Sequence, residues 1–133
     1  MGTGDTDQAT GTATDTGVRT TVAAAFDGAL VCAVEGDLDL DGAHAARPDL
    51  EAALDAAAAA LCLDLGGVGF CDSSGLNLLL RLRSRARERG VRLVLSSLPP
   101  QTKRLLDMTG ADTVFTVFGS AAEFRAGGSE RRP

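Results

Sequence analysis

The chain has 133 residues, of which 44% are hydrophobic, and a net charge of −5; this fits one globular domain with one core and argues against a second. No stretch approaches the roughly 18 consecutive apolar residues of a membrane-spanning helix. The opening MGTGDTDQAT has neither a basic n-region nor an apolar h-region, so no membrane partner and a cytoplasmic location are expected. The charge is divided. Residues 1–72 carry thirteen acids against Arg19 and Arg47, and residues 73–133 carry eleven bases against five acids, or −11 and +6. With five Phe and no Tyr or Trp, the basic half lacks the aromatic interleaving of a nucleic-acid surface. No direct nucleic-acid partner is expected, and the basic half suits an acidic protein surface or a solvated helix face.

Residues 1–17 are six Thr, four Gly, three Asp, two Ala, one Gln and the initiator Met. That composition cannot bury enough apolar area to offset ordering entropy and predicts a disordered tail. From Val18 two short apolar runs flank Asp27-Gly28, the dipeptide that favours a two-residue hairpin turn, which predicts antiparallel strands at 19–26 and 29–35. Gly36-Asp37-Leu38-Asp39 is expected to close the second strand. Leu50, Ala53, Leu54, Ala57 and Leu61 then repeat at helical spacing, with the small residues Ala56–Ala60 set to lie close against a sheet. Pro48 suits the first turn of a helix starting near Arg47, or kinks a longer helix from Gly42.

Leu61–Leu65 reads as a strand broken by Gly66-Gly67, and a helix is expected from about Ser74 to Arg89, ended by Gly90. Its leucines cover an arc too wide for a surface helix, and Arg81, Arg83, Arg85, Arg87 and Arg89 crowd its last turns, where cations are favoured. A strand at 91–98, a helix opened by Pro99-Pro100 and stopped by Gly110, and a strand at 113–118 follow. Ser120 and Glu123 have capping-box spacing for a short final helix, before a tail at 127–133. The order ββαβαβαβα predicts an α/β fold with a mostly parallel, mixed sheet, the first strand antiparallel and helices packed on it.

The stretch Leu61–Leu80 concentrates the chemistry, because Ser73 and Ser74 stand where a buried strand passes into a helix N-terminus, a place that favours anionic groups. A nucleophilic serine needs a base and an orienting group. The only histidine, His44, falls among polar residues at a helix start, and G-x-S-x-G spacing is absent. No catalytic residue is assigned. Gly66, Gly67 and Gly69 follow a strand but end short of the helix, and no Gly-Lys-Ser/Thr follows, against a nucleotide loop. Asp37, Asp39 and Asp41 alternate without the twelve-residue calcium pattern, so no metal and no cofactor are expected. Cys32, Cys62 and Cys71 lack CxxC spacing and read as reduced, buried thiols. A serine that is itself a substrate fits better. A phosphate of about −1.5 to −2 charges is tolerated at a helix N-terminus, whereas a partner shaped for a neutral hydroxyl must desolvate it. On chemistry alone Ser74 reads equally well as an ordinary N-cap and Ser73 as a loop serine.

Gly36-x-Leu38-Asp39, LCLDL, VGFCDSSGLNLLL, RLVLSS, KRLLDMTG and TVFTVFGSAAE together resemble, over residues 18–126, the STAS domain of bacterial anti-sigma-factor antagonists. Phe70-Cys71-Asp72-Ser73-Ser74-Gly75-Leu76 is the most specific part. The resemblance implies that Ser73 is phosphorylated by an anti-sigma factor that is itself a serine kinase, with Ser74 capping the helix. It implies that the unphosphorylated form binds this kinase and frees the sigma factor, that phosphorylation ends the binding, and that a protein serine phosphatase restores it. Asp72, Ser73, Ser74, Gly75, Leu76 and Asn77, with Asp37 and Asp39 on the neighbouring loop, are then the docking site. Cys71 departs from the family's usual aliphatic residue and raises a redox possibility, and the arginine run of the second helix is heavier than the resemblance requires. A STAS scaffold subunit of a stress-sensing or lipid-transport complex is the alternative within the fold. A small serine-nucleophile enzyme is the alternative from another class.

Overall fold

Asp27 and Gly28 both have positive φ, 50° and 83°, the requirement of a tight hairpin turn, and so β1 (Arg19–Phe26) folds back antiparallel on β2 (Ala29–Leu38). The computed structural model describes residues 17–127; the expected tails, 1–17 and 127–133, lie outside the described residues except for Gly17 and for Gly127, which ends the last helix. Next come α1 (Leu40–Ala56), β3 (Ala60–Cys71), α2 (Ser73–Arg89), β4 (Arg92–Ser96), α3 (Pro100–Thr109), a 3₁₀ turn at Ala111–Thr113, β5 (Thr116–Phe118) and α4 (Ala121–Gly127). The sheet has five strands in the order β1-β2-β3-β4-β5, antiparallel only at β1–β2, as the element order predicts.

Alternation along the strands sorts the two faces. Leu61, Leu63 and Leu65 of β3, with Leu93 and Leu95 of β4, enter the main core among Leu50 and Leu54 of α1, Leu79 and Leu82 of α2, and Leu106 of α3. Three helices therefore cover one face. The other face carries a smaller cluster of Ala29, Val31, Ala60, Cys62 and Val94, closed by Phe118 and by Phe124 of α4. Phe124 packs against the rings of Phe26 and Phe118 at 5.9 and 5.7 Å, and the Arg125 guanidinium lies 5.2 Å from the Phe26 centroid.

Several boundaries differ from expectation for tertiary reasons. The helix α1 begins at Leu40, two residues before the longer of the two expected helices, with Pro48 in its interior. Pro48 has no N–H for the His44 carbonyl, but both residues are exposed and water can meet that oxygen. At the other end α1 stops at Ala56, and Ala60 and Leu61 belong to β3, so the alanine run does not extend the helix. The hairpin captures it instead: the Gly28 carbonyl accepts from both Ala58 and Ala59 N–H, at 3.0 and 2.8 Å. Gly66-Gly67 does not break β3, because β2 runs on beside it, pairing Glu35 with Gly67, Gly36 with Val68 and Leu38 with Cys71. Ladder pairing overrides local propensity here. The strand expected at 91–98 shortens to Arg92–Ser96, since the Val91 N–H bonds the Ala86 carbonyl and Ser97 turns at φ 59°. The strand expected at 113–118 gives its first half to the 3₁₀ turn.

Candidate functional site at the Asp72-Ser73 corner

β2 and β3 end in register at Leu38 and Cys71, and each passes through an aspartate into a helix. Asp39 caps α1, its Oδ1 accepting from the Gly42 N–H at 2.9 Å. Asp72 caps α2, its Oδ1 accepting from the Ser74 N–H at 2.8 Å, and the Leu76 N–H bonds the Asp72 carbonyl at 3.0 Å. The cap is thus Asp72 and not Ser74, which lies half-buried in the first turn. A carboxylate at this place also meets the positive end of the helix dipole. The two caps sit side by side, the Asp72 N–H reaching the Leu38 carbonyl at 3.3 Å.

Ser73 is the first residue of α2 and is exposed. Its hydroxyl makes no hydrogen bond among the described residues, so it has no structural duty. Asn77, one turn on, is exposed, as is Asp37, which lies opposite Phe70 in the β2–β3 ladder. Gly75 and Leu76 face inward. A Cβ on Gly75 would lie 2.5 Å from the Leu38 carbonyl oxygen and 2.7 Å from Cys71 Sγ, so only glycine lets α2 approach the strand ends this closely. Leu76 is buried in the main core. Of the expected docking residues, Asp37, Ser73 and Asn77 are presented outward; Asp39, Asp72, Gly75 and Leu76 shape the platform that presents them.

Three residues of this corner were assigned no role from the sequence, although Phe70 opens its most specific motif. Phe70 is 43% exposed and Leu40 is 70% exposed, apolar side chains left in water at the same sheet edge as Ser73. Their positions, one opposite Asp37 and one directly after the Asp39 cap, are the only local hint. The third is Gln101. β4 pairs with β3 no further than Asp64–Ser96, which leaves the later part of β3 without a strand on that side. The Gln101 amide fills the gap at Cys71: Oε1 accepts from the Cys71 N–H at 2.9 Å, and Nε2 donates to the Cys71 carbonyl at 2.7 Å. A side chain from α3 thereby satisfies both backbone groups of the residue before the Asp72 cap.

Other candidate chemistry does not assemble here. His44 is exposed on α1 and hydrogen-bonds neither serine. Cys71 is 1% exposed; burial, and secondarily the Asp72 charge, push its thiol up to about 11, against redox reactivity at neutral pH. The cysteines are free and buried, as expected, and burial likewise pushes Cys32 up to about 11. Among the described residues no group of three or more His, Cys, Asp or Glu could hold a metal, and no helix is long and apolar enough to cross a membrane. The arginine run of α2 is largely structural. Arg83 Nε donates to the Val114 carbonyl at 2.8 Å, Arg85 grips Asp55 through two bonds of 3.1 and 2.9 Å, and Arg89 Nη2 donates to the Asp55 carbonyl at 3.2 Å.

Fold and corner define a small α/β domain that presents a hydroxyl on a helix N-terminus, at the C-terminal edge of parallel strands where such sheets receive their ligands. The chain belongs to the STAS domain family, whose profile described as "Mlab, STAS domain" matches residues 22–117. A Bordetella bronchiseptica protein named as anti-sigma factor antagonist BtrV is 28% identical over 95 residues, 71% of this chain and 82% of its own. The crystal structure of an anti-sigma factor antagonist from Mycobacterium paratuberculosis is 27% identical, covering 85% of this chain and 95% of its own, with a TM-score of 0.71. The fold is also that of the Bacillus cell fate determinant SpoIIAA in its phosphorylated form, 16% identical with a TM-score of 0.62, over 81% of this chain and 98% of the other.

Proposed function

We propose that this protein is an anti-sigma-factor antagonist switched at Ser73. The unphosphorylated form binds an anti-sigma factor that is a serine kinase and releases the sigma factor; phosphorylation of Ser73 ends that binding, and a protein serine phosphatase reverses it. The protein is a regulatory domain rather than an enzyme, and its place is the cytoplasm. One observation carries the reading: the N-cap of α2 is the Asp72 carboxylate, so the exposed Ser73 hydroxyl can be modified without removing a cap. A phosphate there meets first-turn N–H groups that have no intrahelical partner, which offsets repulsion from Asp72. The cost falls on the partner, whose surface was matched to a neutral hydroxyl. The names of the relatives at 27–28% identity support the same reading.

Incubation with ATP and the serine-kinase anti-sigma factors encoded in the same genome, followed by phosphopeptide mapping, tests it. Phosphate is expected on Ser73 alone. Ser73→Ala should bind the kinase and resist inactivation, Ser73→Asp should bind weakly, and circular dichroism should be unchanged by phosphorylation. Full phosphorylation of Ser73→Ala, or a large refolding signal, would sink the proposal. A scaffold subunit would instead bind constitutively whatever the state of Ser73, and a serine-nucleophile enzyme would be labelled at Ser73 by a phosphonate.

A further inference from the structure

Alongside Ser73 a groove of about 200 Å³ runs between α1 and α2, walled by Leu40, His44 and Arg47 on one side and Asn77, Leu78 and Arg81 on the other. It continues along the same seam past Ser84. No carboxylate lines the part of the groove beside Ser73; Glu51 and Glu88 line its continuation, together with Arg81, Ser84 and Arg85. Arg47 shares its Nε with Glu51 at 2.8 Å, whereas Arg81 is exposed and makes no hydrogen bond or ion pair among the described residues. That sets Arg81 apart from Arg83, Arg85 and Arg89 on the same helix, which are bound to the rest of the fold. The groove is therefore apolar at its Leu40 end, beside the Ser73 corner, and cationic about 10 Å further along, seven residues of helical rise from Ser74 to Arg81.

We propose that this groove is a specificity site for the kinase partner, seating an acidic amphipathic segment of it. An apolar side chain of that segment covers Leu40, and a carboxylate two helical turns on pairs with Arg81. The inference rests on the kinase-docking reading of the Ser73 corner and adds a second, separate contact to it. Charge complementarity sets the occupant. The corner itself presents an acid, Asp37, so the whole footprint is negative at one end and positive at the other. A partner must match both signs in the right order, and such an arrangement fixes register and excludes wrong kinases more than it adds raw affinity.

The test measures binding of the same-genome serine-kinase anti-sigma factor, loaded with Mg²⁺ and ADP, to the full-length chain. Arg81→Glu should weaken Kd about tenfold in 50 mM salt, mostly through the on-rate, and the difference should fall to about twofold in 0.5 M salt as screening removes it. Arg81→Lys should stay within about threefold of wild type. Arg87→Glu makes the same charge change on the same helix, at a residue that has no partner among the described residues and lies outside the groove, and should stay within about twofold. Equal losses for Arg81→Glu and Arg87→Glu, or no loss for either, would overturn the groove while leaving Ser73 as acceptor intact. A selective Arg81 effect with phosphate found elsewhere than on Ser73 would keep the groove and remove the switch. If none of these kinases binds the wild-type chain, both fall. A self-associating chain whose dimer is lost in Arg81→Glu by analytical ultracentrifugation would assign the groove to a second copy and overturn the proposal.

Discussion

Replacing Gln101 tests whether a side chain can stand in for a missing strand. Its amide makes two hydrogen bonds, of 2.9 and 2.7 Å, to the backbone N–H and carbonyl of Cys71, a residue only 1% exposed. Gln101→Met keeps most of the apolar stem and removes both bonds, leaving a buried donor and a buried acceptor without partners. Each orphaned group costs roughly 1–3 kcal/mol, and partial access of water around α3 argues for the lower half of that range, so the variant should lose about 2–4 kcal/mol. Against a total of about 5–15 kcal/mol this is a large fraction, and for a domain of this size it lowers Tm by about 10 °C. Urea unfolding gives the free energy, and amide hydrogen exchange locates it. Exchange at Cys71 and Asp72 should accelerate far more than in β4 or the centre of α2, because the bonds lost belong to the projecting end of β3. Gln101→Glu keeps the acceptor for the Cys71 N–H but turns a second oxygen on the Cys71 carbonyl, and should fare no better. A loss below about 0.5 kcal/mol for Gln101→Met, with unchanged exchange at Cys71, would refute the view that the amide holds this strand end in place.

Gly75→Ala puts a Cβ against the Leu38 carbonyl oxygen and Cys71 Sγ, neither of which is a flexible chain end, so about 3 kcal/mol of stability should be lost in urea unfolding and kinase binding should weaken with it. The Asp55 carboxylate, hydrogen-bonded by Arg85, is held below its ordinary value of 3.8. Its contribution is therefore present above the ordinary carboxylate range and lost as pH falls through it. The stability gap between wild type and Asp55→Asn should accordingly close on acidification below about pH 4 and shrink in 1 M salt, and a gap that widened in acid would contradict the assignment.

How much of this protein was legible in its sequence follows the range of the forces involved. The hairpin turn was readable because Asp27 and Gly28 need nothing beyond themselves to adopt positive φ. The arginine-tailed helix ending at Gly90 was readable because its leucine pattern and its left-handed cap are local. The parallel order of the sheet followed from strands alternating with helices, and Ser73 at a strand-to-helix junction followed from the residues on either side of it. What tertiary contacts decided lies wherever a distant group outbids the local choice. The Gly28 carbonyl ends α1 before its alanines are used up. β2 carries β3 through two glycines that alone would have broken it. Asp72 takes the cap that Ser74 was positioned for, since the Leu38 carbonyl anchors the Asp72 backbone two residues earlier. The exposure of Leu40 and Phe70, the Gln101 clamp and the division of the arginines into bound and free depend on which elements end side by side. Residue spacing alone carries no record of that, because hydrogen-bond partners thirty residues apart are set by the packing of the whole chain.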